Sequence, residues 1–172
     1  MTESYIVVDL ETTGLDPKKD KIIEIGAARV IDGVIIDSFK MLLNPGRKLS
    51  DKVKEITGIC DEDLEKAPDI IYGIKCFMEF LEVDELPFLG HSILFDYSFL
   101  KRAAVNQGYL LEKSAIDTLK IARKFLPDIE SRNLNYLCNY YNIPHQAHRA
   151  LPDAISTHYL YQKLVENFFS KE

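Results

Sequence analysis

The stretch Tyr5-Ile6-Val7-Val8-Asp9-Leu10-Glu11-Thr12-Thr13-Gly14-Leu15 is too apolar for a surface loop, yet it carries two carboxylates. A short run rich in β-branched residues predicts a buried central strand. Successive side chains of a strand point to opposite faces, so Asp9 and Glu11 project from the same face. Two like charges held together need a shared proton or a cation, and oxygen ligands favour Mg²⁺ or Mn²⁺. The Thr-Thr-Gly that follows ends the strand at a place where a ligand can approach the backbone closely.

The alternative interpretation of this stretch is a strand with two exposed acids on a solvated face. An Asp-x-Glu pair alone is a weak signal that occurs by chance in many proteins. Its place inside an apolar strand, directly before Thr12-Thr13-Gly14-Leu15, favours a buried site.

Composition limits the classes of protein that fit this chain. With 172 residues, of which 47% are hydrophobic and 28% charged, we expect a single domain over residues 1–172. The N-terminal apolar run is too short for a signal peptide or a membrane span, so we expect a cytoplasmic protein without a membrane partner. Three cysteines without Cys-x-x-Cys spacing argue against a disulfide framework and a zinc site.

The net charge of −6 gives no support by itself to a nucleic-acid partner, because non-specific binding comes mostly from Lys and Arg. Two divalent cations at an acidic site would offset most of this charge.

The order of the predicted elements indicates an α/β fold. Lys21 to Ile31 and Val34 to Leu43 are predicted strands, and Asp32-Gly33 between them is a type I′ hairpin signal, so an antiparallel meander is expected. A short strand follows at Pro87 to Gly90. The predicted helices are Ser50 to Glu55 with Ser50 as N-cap, Asp61 to Lys66, Pro68 to Glu82, Leu94 to Gln107, Asp117 to Phe125, Asn133 to Tyr141 and Ala150 to Phe169. This order predicts a mixed central sheet, three antiparallel strands plus parallel strands, flanked by helices.

A third acid follows the strand at Pro87 to Gly90. Asp96 falls in the first turn of the next helix, and ligands of α/β sheets usually bind at the C-terminal ends of strands. We therefore expect Asp96 to face Asp9 and Glu11. The alternative is an ordinary N-terminal acid that stabilises the helix dipole.

The segment His148-Arg149-Ala150-Leu151-Pro152-Asp153-Ala154 begins the last predicted helix. On a continuous helix a five-residue spacing would separate His148 and Asp153 by about 140°. The two converge only if His148 lies in the approach to the helix and Asp153 inside it, and Pro152 suits the first turn. The alternative for His148 is a surface histidine, which is what we expect for His145 and His158.

These three segments resemble the motifs of the DnaQ-like, or DEDDh, 3′–5′ exonucleases, which have a ribonuclease-H-like fold. The first motif is matched by Asp9 through Gly14, the second by His91 through Asp96, and the third by His148-Arg149-Ala150 with Asp153. The resemblance runs from Tyr5 to about Leu164. One departure is Ser92, where the family usually has Asn.

The resemblance implies hydrolysis with two divalent ions, Mg²⁺ or Mn²⁺, about 3.5–4 Å apart around the scissile phosphate. Asp9 would bridge both ions, Glu11 and Asp153 would complete the first, and Asp96 would reach the second directly or through water. His148 would act as general base on the attacking water. The product would be a nucleoside 5′-monophosphate from the 3′ end of single-stranded DNA or RNA, in proofreading or repair.

The same resemblance implies where the terminal nucleotide would bind. The backbone around Thr12 and Thr13 would hold it and Leu15 would pack against its base. The implied substrate-binding set is Thr12, Thr13, Gly14, Leu15, His91 and Ser92.

Other functions and partners stay open at this point. A catalytically silent nucleic-acid-binding module would not need four converging carboxylates, whereas a small-nucleotide phosphodiesterase or an oligoribonuclease would use the same acids. Gln162-x-x-Val165-x-x-Phe168-Phe169 is similar to a sliding-clamp peptide, but an apolar stripe for core packing explains it better. Because the chain ends at Glu172, we expect a free-standing exonuclease or a fragment rather than a DNA polymerase subunit.

Overall fold

Strand β1 (Tyr5–Thr12) lies in the middle of a five-stranded sheet with the order β3-β2-β1-β4-β5. The computed structural model describes residues 3–82, 85–145 and 148–169, without the side chains of residues 168 and 169. Strands β2 (Ile22–Ile31) and β3 (Val34–Leu42) continue β1 as an antiparallel meander. Strands β4 (Phe88–Gly90) and β5 (Ala115–Asp117) run parallel to it. The predicted α/β fold with a mixed sheet is confirmed.

The hairpin between β2 and β3 has the predicted turn. Asp32 and Gly33 have φ angles of 49° and 77°, and positive values at both central residues define a type I′ turn. Its twist matches that of the flanking strands, so it fixes their pairing.

Seven helices accompany the sheet in the described ranges: α1 (Asp51–Thr57), α2 (Asp61–Glu65), α3 (Ile70–Leu81), α4 (Leu94–Val105), α5 (Thr118–Phe125), α6 (Leu134–Tyr140) and α7 (Ala150–Phe169). Several predicted boundaries differ from the observed ones by one or two residues; for example, α1 ends at Thr57 rather than Glu55. Helix α3 begins after Asp69, whose side chain accepts from the Tyr72 N–H, so Pro68 lies outside it. Helix α4 ends at Val105 rather than Gln107.

The two faces of β1 pack against different helices. Ile6, Val8 and Leu10 form one core with residues of α3 and α4, whereas Tyr5 and Val7 form another with Ala154 and Tyr161 of α7. Because side chains alternate along a strand, Asp9 and Glu11 continue the row of Tyr5 and Val7 on the α7 face. The acids of β1 therefore lie on the side of the sheet where α7 begins.

Two further predictions were wrong. Asp117, expected as the first residue of a helix, ends the short strand β5 and caps α5, because its side chain accepts from the Leu119 N–H. His158, expected at the surface, is buried and its Nδ1 lies 2.9 Å from the hydroxyl of Tyr5.

The three cysteines are free. Among the described residues, no helix combines the length and apolarity that crossing a membrane requires.

Candidate active site

The register of β1 and β2 places the first two acids. Asp9 lies opposite Gly26, and Glu11 lies opposite Glu24. The register shifts between Glu11 and Thr12, and such an irregularity bends a strand and changes the aim of its side chains. The two carboxylates therefore project from the end of β1, as the two-residue spacing predicted.

Asp96 reaches the same end of β1 from α4. Its side chain is buried, and its Oδ1 accepts a 3.1 Å hydrogen bond from the backbone N–H of Leu10, the residue between the two acids of β1. Strand β4 pairs with β1 only at Ile6 and Val7, so Asp96 takes the place of a further ladder partner. Its predicted position in the first turn of α4 is confirmed.

His148 and Asp153 converge as the spacing required. Helix α7 begins at Ala150, so Asp153 lies in its first turn and His148 precedes it. The backbone N–H of His148 donates a 2.9 Å hydrogen bond to Oδ2 of Asp153. One ring nitrogen of His148 and one carboxylate oxygen each of Glu11 and Asp153 all lie within 4.8 Å of one another. This distance suits either a ligand or a base, so the role of His148 as base stays a prediction.

Burial, and to a lesser degree mutual repulsion, disfavours the charged form of the four carboxylates. Burial, followed by the charges of Asp96 and Asp153, raises the pKa of Asp9 well above its ordinary value. Burial and the charge of Asp153 raise the pKa of Glu11 to about 8. Burial raises the pKa of Asp96 to about 8 and that of Asp153 to about 6, although hydrogen bonds from backbone N–H groups act in the opposite direction.

These residues fit a divalent cation. A cluster of partly buried carboxylates is stable in its charged form only beside positive charge, and hard oxygen ligands match Mg²⁺ or Mn²⁺. In addition, Oδ1 of Asp153 is buried and has no hydrogen-bond partner among the described residues. A buried carboxylate oxygen without a hydrogen-bond partner is compatible with a ligand position.

His145 also contributes to this site, contrary to the expectation that it lies at the surface. Its side chain is only 4% exposed, and its Nδ1 lies 3.1 Å from Oγ of Ser156 and 3.6 Å from Oδ1 of Asp153. The second distance is too long for a hydrogen bond. Burial lowers the pKa of His145, so a neutral ring faces Asp153.

The loop after β1 is folded on itself around Asp20. The carboxylate of Asp20 accepts from the N–H of Asp16 and bonds to the hydroxyl of Thr13, while Arg47 donates to both Thr13 and Asp20. The N–H of Thr13 donates to Lys21 and is thus engaged. Leu15 is 83% exposed, which leaves it free to meet a base. Contact of Thr12, Thr13, Gly14 and Leu15 with substrate stays a prediction.

His91 and Ser92 are held by bonds within the protein. The ring nitrogens of His91 lie 2.9 Å from Oγ1 of Thr118 and from the carbonyl oxygen of Arg132. Ser92 has a φ of 68° and donates its N–H to Asp117. The left-handed region favours Gly and Asn over Ser. Substrate contacts of both residues stay predictions.

Sequence reasoning missed Glu24 and Gly26 of β2. Both face the site opposite Glu11 and Asp9, and Glu24 is fully buried. The available signal was a charged residue inside Ile22-Ile23-Glu24-Ile25-Gly26-Ala27-Ala28, because a charge within a buried run needs a partner.

In α7, the apolar stripe that overlaps the sequence similar to a clamp peptide packs inward. Leu160, Tyr161 and Leu164 are buried, and Gln162 donates to the carbonyl oxygen of Gly33. These contacts support the core-packing interpretation. The side chains of Phe168 and Phe169 lie outside the described residues.

A mixed α/β sheet with carboxylates converging at the end of its central strand defines the class of ribonuclease-H-like nucleases. Residues 6–161 match the model of the RNase_T exonuclease family. The chain belongs to this family, and the expected enzyme class, an exonuclease, is confirmed.

Known proteins with similar sequence or fold agree with this assignment. The chain is 39% identical over 173 residues to the PolC-type DNA polymerase III of Bacillus subtilis, a match that covers 98% of this chain but 12% of the polymerase. A solved structure of exonuclease X with 5′-overhanging duplex DNA has a TM-score of 0.75 and 25% identity, covering 95% of this chain and 92% of that one. A zinc-bound complex of E. coli exonuclease I with single-stranded DNA has a TM-score of 0.84. The match covers 99% of this chain and 43% of that one, and at 19% identity it shows similarity of fold alone.

Proposed function

We propose that this chain is a divalent-metal-dependent 3′–5′ exonuclease domain that acts on DNA and releases nucleoside 5′-monophosphates. The observation that carries the proposal is the convergence of Asp9, Glu11, Asp96 and Asp153 with His148 at the end of β1. Binding alone does not require such a cluster, since carboxylates repel phosphate unless cations lie between them.

The four acids would hold two divalent ions, Mg²⁺ or Mn²⁺. Bound there, the ions would supply charge stabilisation at the phosphate and a more acidic water. Asp9 and Glu11 would supply carboxylate ligands from the sheet. Asp96 and Asp153 would supply them from the first turns of α4 and α7.

His148 would accept the proton of the attacking water at a ring nitrogen. Its side chain is exposed at the mouth of the site, close to Glu11 and Asp153. A neutral imidazole nitrogen accepts a proton, so this residue type suits a general base there. Leu15, exposed in the loop after β1, would pack against the base of the terminal nucleotide.

We favour DNA over RNA as the substrate because of two proteins that this chain resembles. The matched relative is a DNA polymerase, and exonuclease X was solved with DNA that carries a 5′ overhang. The chain spans about an eighth of that polymerase's length, so association with a polymerase or a sliding clamp stays a prediction. The single domain over residues 1–172 and the cytoplasmic location also stay predictions.

The test is digestion of four substrates with Mg²⁺ or with EDTA. These are 5′-labelled single-stranded DNA, single-stranded RNA of the same sequence, duplex DNA with a recessed 3′ end, and a dinucleotide. We expect metal-dependent shortening from the 3′ end of DNA, and faster turnover of long strands than of the dinucleotide. Preference for RNA or for the dinucleotide would support an oligoribonuclease or a small-nucleotide phosphodiesterase. Binding without hydrolysis would support a silent binding module.

A matched pair of variants separates the site from general effects of charge. Glu11→Gln removes one acid of the cluster, whereas Glu79→Gln makes the same change on the solvent side of α3, where Glu79 forms an exposed pair with Lys75. We expect Glu11→Gln to lose hydrolysis and Glu79→Gln to match the wild type. Equal activity of both variants would overturn the proposal.

A further inference from the structure

A buried ion pair joins β2 to the segment that carries His148. Glu24 is fully buried, and Arg149 meets it with two nitrogens, Nε at 3.1 Å from Oε2 and Nη2 at 2.9 Å from Oε1. The backbone N–H of Ala150 also donates to Oε2 at 3.1 Å. Bidentate pairs between Arg and a carboxylate fix orientation as well as distance. Both oxygens of Glu24 are thus committed, which separates it from the four acids proposed as ligands.

Backbone packing places α7 on the same strand. A Cβ added to Gly26 would lie 2.1 Å from the backbone nitrogen of Leu151 and 2.2 Å from the carbonyl carbon of Ala150. Glu24 and Gly26 are two residues apart and therefore face the same side of the sheet. The first turn of α7 consequently rests on β2, directly beside the bidentate pair.

His148 itself has an uncommon, left-handed backbone conformation. Its φ is 67°, a left-handed value that is uncommon outside Gly, although Asn, Asp and His adopt it more often than other residues. Such conformations persist where surrounding contacts determine them. The contacts are the hydrogen bond from the His148 N–H to Asp153 on one side, and the bonds of Arg149 and Ala150 to Glu24 on the other.

We propose that Glu24 and Arg149 are positioning residues that hold His148 over the acid cluster. The inference deepens the proposed exonuclease function and rests on it, because its kinetic readout requires His148 to act in hydrolysis. Neither residue touches the reacting atoms. Their effect on the rate is transmitted through the backbone of residues 148–150, and a displacement of about 1 Å at such a group lowers rates by about 10²-fold.

The chain offers a matched control for this role. Lys40 also lies beside Glu24, with Nζ 3.8 Å from Oε1, but it belongs to β3 rather than to the segment of residues 148–150. Lys40→Gln and Arg149→Gln each remove one positive charge next to Glu24. Only Arg149→Gln removes the bidentate contact that ties residues 148–150 to Glu24.

The first measurement is steady-state hydrolysis of single-stranded DNA. We expect Arg149→Gln to lower kcat about 10–100-fold with KM changed less than about twofold, and Lys40→Gln to match the wild type. Arg149→Lys keeps the charge but loses the bidentate contact, so it should restore part of the rate. In a His148→Ala background, Arg149→Gln should lower kcat by no more than about twofold, because the group it positions is gone.

The second measurement needs no catalysis. Amide hydrogen exchange in EDTA should be faster over residues 148–153 in Arg149→Gln than in Lys40→Gln, with the core of the sheet unchanged. The double variant Glu24→Gln/Arg149→Gln leaves no unpaired buried charge, so it should melt close to the wild type and still exchange fast at this segment.

Three results would overturn the inference. The first is a wild-type kcat in Arg149→Gln. The second is an equal loss of kcat from Arg149→Gln in the wild-type and His148→Ala backgrounds. The third is unchanged amide exchange over residues 148–153 in Arg149→Gln. A wild-type protein that hydrolyses no nucleic acid would instead refute the proposed function, and the exchange experiment would still decide whether Glu24 holds this segment.

Discussion

The acids of β1 and the histidine before α7 meet at one site but are held there by different means. Asp9 and Glu11 belong to a strand that pairs with β2 along its whole length and has a core on each face. His148 lies outside regular structure, with a left-handed backbone held by a few polar contacts. The sheet thus makes the acids insensitive to changes elsewhere, whereas the position of His148 depends on individual bonds.

Removal of an acid of β1 tests the part of the site that the sheet holds, and it should have the largest effect. We expect Asp9→Ala to lower kcat by more than about 10³-fold, or about 4 kcal/mol, because the acids act by holding metal. The fold should survive, since the variant relieves repulsion with Asp96 and Asp153. Steady-state kinetics and thermal unfolding in EDTA check both points. Retention of more than about a tenth of the wild-type kcat would contradict the metal role.

Removal of His148 tests the part of the site that is held by individual polar contacts. His148→Ala should lower kcat about 10²–10⁴-fold, the range for a positioned general base, with metal affinity nearly unchanged. Calorimetric titration with Mn²⁺ is the decisive measurement because the ring lies within 4.8 Å of Glu11 and Asp153 oxygens. Loss of metal binding would make His148 a ligand, and a normal rate would make it a bystander.

A change in β2 should disturb the histidine and leave the acids of β1 in place. In Gly26→Ala the new methyl group would overlap the backbone of Ala150 and Leu151, so α7 must shift. We expect a loss of about 1–3 kcal/mol in unfolding free energy and at least a tenfold loss in kcat. Gly73→Ala is the comparison, because its methyl group would meet the movable side chain of Leu43 instead. Its kcat should equal the wild type, and an equal loss in both variants would refute the specific role of Gly26.

The contrast between features set by local strand geometry and features set by contacts of distant residues explains what the sequence alone could predict. The spacing of Asp9 and Glu11 follows from the period of a strand, and the hairpin at Asp32-Gly33 from the backbone freedom of its residues. Both are local rules, and both features are confirmed in the fold. Asp96 and the offset between His148 and Asp153 also followed from local rules on helix starts.

Features that depend on distant pairing were missed. Glu24 and Arg149 are 125 residues apart, so only the three-dimensional fold brings the two into contact. The crowding at Gly26 depends on where α7 lies, and β5 is too short for a periodic pattern. His145 and His158 were wrongly expected at the surface because neither has a pattern around it that predicts burial.

Burial of the acids, together with their mutual repulsion, predicts how stability depends on pH without metal. Folding raises the pKa of Glu11 and Asp96 to about 8 and that of Asp153 to about 6, so the folded protein binds these protons more tightly than the unfolded chain. In EDTA the free energy of unfolding should therefore fall as the pH rises from about 4.5 to 8, by up to about 1.4 kcal/mol per pH unit for each proton released. Mg²⁺ should reduce this slope. Denaturant titrations at several pH values check it, and stability that rises across this range would contradict it.

The smallest effect concerns Ser92, whose φ of 68° is left-handed like that of His148. Ser92 lies just before α4, the helix that carries Asp96. A left-handed conformation costs most residues about 1–2 kcal/mol, and Asn and Gly tolerate it best. Ser92→Asn should therefore raise the free energy of unfolding by about 0.5 kcal/mol and Ser92→Gly by about 1 kcal/mol, with the N–H bond to Asp117 kept. Chemical denaturation measures both changes. If Asn also contributes a substrate contact, KM for DNA should fall in Ser92→Asn and not in Ser92→Gly. A destabilised Ser92→Gly would show that the serine hydroxyl, and not the backbone angle, determines stability at this turn.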